Sequence, residues 1–212
     1  MILGIDFSLK SPAATLKAGN LYTFYSFARN TAVKENVILS LKAAGVITNI
    51  IDNEPSLPKK STIAERERSS LEDANILIPE ITKWFKDLPI SSYAIEGFSF
   101  ASTGNRLAQI SGYQWLLRWE MLKMGIAPKD FWIFAPMTVK ATAGKGNFKK
   151  EDMIAAFLNT EDEDLKNTGL WKGMTNSPQS FQNKKGAWEK PIDDIVDSLW
   201  VLKTLEKTLS IC

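Results

Sequence analysis

The sequence contains no histidine and only one cysteine, Cys212. The first absence excludes serine–histidine catalysis, histidine-ligated zinc and a histidine general base. The second rules out a disulfide within the chain and argues against a cysteine nucleophile. No apolar run approaches the roughly 20 residues that a membrane span requires. The first residues also lack the basic-then-apolar order of a secretory signal. A cytoplasmic protein without a membrane partner is the expectation. Charge of one sign is not in excess either: 26 Lys+Arg stand against 24 Asp+Glu, for a net +2. Any affinity for nucleic acid must therefore come from local clustering. The chain has no internal repeat and no low-complexity tract. Its chemistry is left to carboxylates, lysines, hydroxyls or a bound metal.

What is present suits a single domain over residues 1–212, with 44% hydrophobic residues to build a core. Residues 1–6 read as an apolar strand ending at Asp6, followed by a polar turn from Phe7 to Pro12. Ala13 to Lys17 and Leu21 to Ala28 read as two further strands joined at Ala18-Gly19-Asn20. Thr31 to Ala44 suits a helix closed by Gly45. Residues 46–52 fit either a short strand or a loop running to Pro58. Ser61-Thr62 follow Lys59-Lys60 and can cap a helix with Ile63, Leu71, Ala74 and Leu77 on its apolar face and Glu65 to Arg68 solvated. Pro79 is expected to kink or restart that helix before Ile81, Trp84 and Phe85 complete its face. Tyr93 to Ile95 form a short strand. A long helix after Gly104 carries Leu107, Ile110, Gln114, Leu117, Met121 and Met124 at helical spacing. Phe131 to Phe134 read as a strand buried on both faces. This order implies an α/β fold with a mixed sheet. Residues 159–190 are polar, and suit a long functional loop or a mobile insertion.

Three apolar elements deliver acids. Asp6 ends the first strand, Glu96 ends the Tyr93 strand, and Asp193, Asp194 and Asp197 open the closing helix. Each has an ordinary explanation alone: a turn acid at Asp6, a solvated loop acid at Glu96, helix-dipole complements at Asp193 and Asp194. Asp197 lies past the first helical turn and borders the apolar stripe, so the dipole does not account for it. Asp194 and Asp197, three apart, share a helical face. If Asp6 and Glu96 end adjacent parallel strands, they sit at the carboxyl edge where open α/β sheets place their sites. Four crowded carboxylates would repel and resist ionisation. Two divalent ions, magnesium by preference, would relieve that and support phosphodiester hydrolysis without histidine. Between the last strand and the acidic helix, residues 135–150 hold Lys140, Lys145, Lys149, Lys150, Gly144 and Gly146, with no acid. Lysines neutralise phosphate, and glycines let backbone amides approach it.

Taken together, Ile2-Leu3-Gly4-Ile5-Asp6, Tyr93-Ala94-Ile95-Glu96, Val139-Lys140 with Gly144, Gly146 and Lys150, and Asp194 with Asp197-Ser198-Leu199 resemble the RuvC-type Holliday junction resolvases of the RNase H-like superfamily. The likeness follows family order from Asp6 to Asp197. It implies an RNase H-like fold with a five-stranded mixed sheet flanked by helices, a homodimer built on the helix from Gly104 to Met124, and magnesium-dependent nicking of four-way DNA junctions. It further implies two Mg2+ per site, with Mn2+ able to substitute, held by Asp6, Glu96, Asp194 and Asp197. Lys140 and Lys150 match lysines near the scissile phosphate. Phe98 or Phe100 matches an aromatic wedge that stacks on unpaired bases. Arg106, Lys145 and Lys149 are further candidate DNA contacts.

The departures are specific. Phe7 to Pro12 replaces the Pro-Gly of bacterial members and is closer to phage-encoded relatives, Phe148 stands where a small residue is preferred, and residues 159–190 match nothing in the family. Asp193 beside Asp194 leaves the ligand assignment open by one position. Two other readings stay open: an RNase H-like nuclease acting on flaps or RNA–DNA hybrids, and a non-catalytic branched-DNA-binding module.

Overall fold

Residues alternate sides along a strand, and the first strand uses this to divide the molecule. In a computed structural model describing residues 1–52, 57–58, 60–98 and 105–211, β1 (Ile2–Asp6) turns Leu3 and Ile5 towards one hydrophobic cluster and Ile2 towards another. Nothing is described of Lys59, Phe100, Cys212 or the side chains of Asn105 and Arg106.

Strands β2 (Ala13–Ala18) and β3 (Leu21–Arg29) continue antiparallel from β1, and β4 (Ile47–Ile51) pairs in parallel with β3. On the other side of β1, β5 (Ser92–Glu96) and β6 (Phe131–Phe134) add in parallel. The sheet thus has six strands in the order β4-β3-β2-β1-β5-β6, one more than expected. The additional strand is the 46–52 stretch, which takes the strand alternative and forms an edge. The β6 strand is also an edge and is not buried on both faces, since Ile133 is 50% exposed.

On one face lie α2 (Ile63–Thr82) and α3 (Asn105–Lys123), which bury Ala74, Leu77, Ile81, Leu117 and Met121 against Leu3, Ile5 and Phe27. The Thr62–Glu65 capping box starts α2. Pro79 does not end it: the helix runs on to Thr82, three residues beyond the proline. Ile63 and Leu71 do not join the core. They are 76% and 65% exposed, and the buried face of α2 runs from Asp73 to Thr82.

The opposite face holds α1 (Glu35–Ala43), α4 (Pro136–Ala143), α5 (Lys150–Leu158), α6 (Glu163–Lys166), α7 (Gly169–Asn176) and α8 (Ile192–Leu209). The first half of residues 135–150 is therefore helix rather than loop, started by Pro136 at a position that suits proline. Residues 159–190 are built of short helices whose Leu165, Leu170, Met174 and Phe181 enter the core.

Helix α8 crosses β1 at Gly4. A Cβ there would lie 2.6 Å from the Ser198 carbonyl oxygen and 2.8 Å from Leu202 Cα, so only glycine admits this backbone-to-backbone approach. Gly4→Ala is expected to cost about 1–3 kcal/mol or more, several degrees of melting temperature at this chain length. Gly112→Ala, at a helical site with open space for a Cβ, is expected to raise stability by about 0.5–1 kcal/mol. Thermal melts of the two variants check the contrast.

Candidate active site

Strands β1 and β5 are parallel, with Ile5 opposite Ile95. Asp6 and Glu96 therefore leave the same edge side by side. Alternation places Asp6 on the face of Gly4, and Glu96 on the face of Ala94, which joins the α8-side cluster. Both acids thus face α8. On that helix Asp194 precedes Ser198 by one turn, in the row that touches β1. Two hydrogen bonds fix the docking: Thr15 Oγ1 and Ser198 Oγ are bonded at 2.8 Å, and Ser11 Oγ donates to Asp194 Oδ2. Ser11 is 1% exposed and Asp194 3%.

The acids sense one another. Asp6 is pushed well above the usual carboxylate range by burial, then by the charges of Asp194, Asp197 and Glu96. Burial and then Glu96 push Asp197 up to about 7. Burial also raises Glu96, against the pull of Lys140 and Lys150. Asp194 is raised by burial and by Asp193, against Lys190 and Ser11. Asp193 behaves differently: burial pushes it up, but the Lys150 hydrogen bond and the Lys190 charge outweigh that and hold it low. The residue that shares the neighbourhood of Asp6 is Asp194, and Asp193 serves as the partner of two lysines.

Lys150 pairs with Asp193 and lies 3.9 Å from Asp194 Oδ1. Lys190 pairs with both, at 2.9 Å and 2.5 Å. Five carboxylates thus meet three ammonium groups, those of Lys140, Lys150 and Lys190. The donors are all oxygen, and the excess negative charge is what a hard divalent cation would neutralise. Among the described residues no three acids stand close enough together to hold a metal ion in this arrangement. Lysine ammonium groups hold Asp193 and Asp194 instead.

The glycines of the basic stretch have a packing reason. A Cβ on Gly144 would meet the Phe148 ring, and one on Gly146 would meet Met137 Cγ at 2.8 Å. Lys145 and Lys149 are exposed beside them. Phe98 is half-buried, with its ring 5.8 Å from the Arg118 guanidinium. Arg118 donates to Gln114, and Gln114 donates to the Glu96 carbonyl oxygen at 3.2 Å. Phe100 and the Arg106 side chain lie outside the described residues.

Ser11, Gln114, Arg118 and Lys190 were not anticipated from sequence. Lys190 had a legible signal, its four-residue spacing from Asp194 at a helix start. Ser11 had a weaker one, its place in the loop that follows Asp6.

No family model and no curated protein matches the sequence. Solved structures do match. A structure of Thermus thermophilus RuvC superposes with a TM-score of 0.55 at 12% identity, covering 99% of this chain and 96% of its own. T. thermophilus RuvC in complex with a Holliday junction substrate gives 0.55 at 9% identity, covering 98% and 94%. The chain has the RuvC fold.

That RuvC-type frame carries a destabilising charge cluster whose pH dependence is readable. An unfolded aspartate titrates near pH 4, whereas folded Asp197 sits at about 7. Below about pH 4 both states are protonated and Asp197 costs nothing. The cost grows as the unfolded chain alone ionises and levels off above about pH 7. Asp197→Asn is expected to raise the metal-free melting temperature by several degrees near pH 8, at about 2–4 °C per kcal/mol. It should have no effect below about pH 4. Circular dichroism melts across that range check both.

Proposed function

We propose that this chain is a divalent-metal-dependent endodeoxyribonuclease that resolves four-way DNA junctions by paired nicks. The observation that carries the reading is the convergence of Asp6, Glu96, Asp194 and Asp197 into one electrostatic neighbourhood at the carboxyl edge of a RuvC-type sheet. These four residues would hold two Mg2+, with Mn2+ able to substitute. Bound at these carboxylates, such ions would supply the Lewis-acid chemistry that phosphodiester hydrolysis needs.

The chain's own residues do the rest. Rigid strand ends and a docked helix fix the carboxylates, which reduces the cost of organising them on binding. Lys140 and Lys150 bring positive charge to the same site and suit the scissile phosphate, and exposed Lys145 and Lys149 suit the flanking backbone. Phe98 and Phe100, two and four residues beyond Glu96, are placed in sequence to stack on bases unpaired at the branch point.

A junction with two-fold symmetry needs two sites related by the same symmetry. Helix α3 offers a surface for this: Trp115 and Trp119, one turn apart, are 64% and 61% exposed, and Leu116 beside them is 40% exposed. A homodimer along α3 would cover these side chains. The site suits a cytoplasmic DNA-processing protein, and the loop after Asp6 suits a phage-type member.

Asp6→Asn and Glu96→Gln are each expected to slow cleavage of a synthetic four-way junction in Mg2+ more than about 100-fold, a loss that even outer-shell partners of metal ligands can produce. Rates on junction, flap, RNA–DNA hybrid and duplex measured side by side should favour the junction. Junction cleavage unchanged in both variants would overturn the reading. Trp119→Lys is expected to shift the protein from dimer to monomer in light scattering and to replace paired nicks by single ones.

A further inference from the structure

We infer that Lys190 is an internal counter-cation of the acid site: it holds Asp194 until a divalent ion displaces it, and so sets the ion concentration at which the site loads. The inference rests on the metal-dependent reading above and concerns a residue outside the set that carries the family resemblance.

Both carboxylate oxygens of Asp194 are engaged. Oδ2 accepts from Ser11, and Oδ1 accepts from Lys190 Nζ at 2.5 Å. An ion that binds Asp194 competes with these two partners for the carboxylate charge. The Ser11 hydroxyl belongs to a residue 1% exposed and has no route to water. The Lys190 side chain is 43% exposed, against 4% for that of Asp194, so the lysine can withdraw into solvent while the acid cannot. Lys150 stands farther from Oδ1, at 3.9 Å.

Lys190 also sits where a lysine is otherwise unfavourable. It lies two residues before the first residue of α8, at the positive end of the helix macrodipole. The carboxylates of Asp193 and Asp194 account for its place there. It is not needed to anchor the segment that ends at this point. The Glu189 amide donates to the Phe181 carbonyl at 2.9 Å, the Ile192 amide donates to the Glu189 carbonyl at 3.0 Å, and Glu189 pairs with Lys34. A lysine that neutralises the acids in the ion-free chain, and competes with the ion for them, opposes loading by its share of that neutralisation.

The test titrates Mn2+ into the full chain without DNA by calorimetry, beside melts at zero and saturating Mn2+. Wild type, Lys190→Met, Lys190→Gln and Lys190→Arg are compared. Lys190→Met is expected to bind Mn2+ several-fold more tightly, to melt lower without the ion, and to gain more from saturation than wild type. Lys190→Gln keeps a hydrogen-bond donor without the charge and gives the same comparison if the methionine variant does not fold. Lys190→Arg keeps the charge and is expected to bind no more tightly than wild type. Neutral variants that match wild-type affinity, in a chain that does bind Mn2+, would overturn the inference alone. A wild type that takes up no Mn2+ would overturn the metal-dependent reading and this inference with it.

Discussion

The missing side chain at Gly4 determines where everything else at the site can be. It lets α8 lie backbone-to-backbone on β1, with the Ser198 carbonyl and Leu202 at the contact. From that point the geometry follows from repeat distances. Two strand residues onward, Asp6 lies about 6.6 Å along β1. Four helix residues back from Ser198 along α8, about 6 Å, is Asp194. A larger residue at position 4 would lift the helix and separate the acids of α8 from those of the strands. The Thr15–Ser198 and Ser11–Asp194 hydrogen bonds then fix the rotation of α8 about its own axis, which the close approach alone leaves free.

Crowding these acids works against stability. Burial raises Asp6, Glu96, Asp194 and Asp197, and repulsion from neighbouring acids adds to it at Asp6, Asp194 and Asp197, so each ionised form is disfavoured in the folded chain. Buried acids without a packing role are where stability is given up for function. A purely structural solution exists elsewhere in the same molecule. Asp73 is also buried, but Arg29 Nη2 reaches both of its oxygens at 2.7 Å and the Tyr113 hydroxyl adds a third bond at 2.8 Å. One carboxylate there meets a matching set of donors. At the sheet edge five carboxylates meet three lysines, and the imbalance distinguishes a site from a staple.

The features legible in the sequence were those governed by short-range pattern. Apolar runs ending in Asp6 and Glu96 located two strand exits, and the three-residue spacing of Asp194 and Asp197 placed them on one helical face. Ser61-Thr62 as caps announced the helix that follows them. The features that escaped were set by position in the whole. Phe131 to Phe134 has the composition of a central strand, but only β5 lies beside it, and the sheet ends there. Ile63 and Leu71 have helical periodicity, but the buried face of α2 begins only at Asp73. Gly144 and Gly146 read as residues that let backbone approach phosphate, and the close contacts a Cβ would make there with Phe148 and Met137 could not be read from the sequence. The pairing of Ser11 lay beyond any local pattern, since its partner is 183 residues away.

Residues 159–190 show how a polar stretch can serve a core. Their apolar residues are few but spaced to cover one flank: Leu165, Leu170, Met174 and Phe181 pack with α1, α5 and α8. Close fits hold the segment, since a Cβ on Gly169 would meet the Ala44 carbonyl oxygen at 2.5 Å. At its start Asp162 accepts from Tyr22 at 2.8 Å and Lys203 at 2.5 Å, and these bonds with that from the Leu165 amide outweigh burial to hold its carboxyl down at about 2. Lys203 lies on α8, so the segment is tied at its beginning to the helix that carries the acids. At its end Lys190 ties to the same helix through Asp193 and Asp194. The first tie is a satisfied, half-buried network that has no reason to open. The second joins an exposed lysine to acids that lack enough partners, so of the two it is the one that a competing cation can replace.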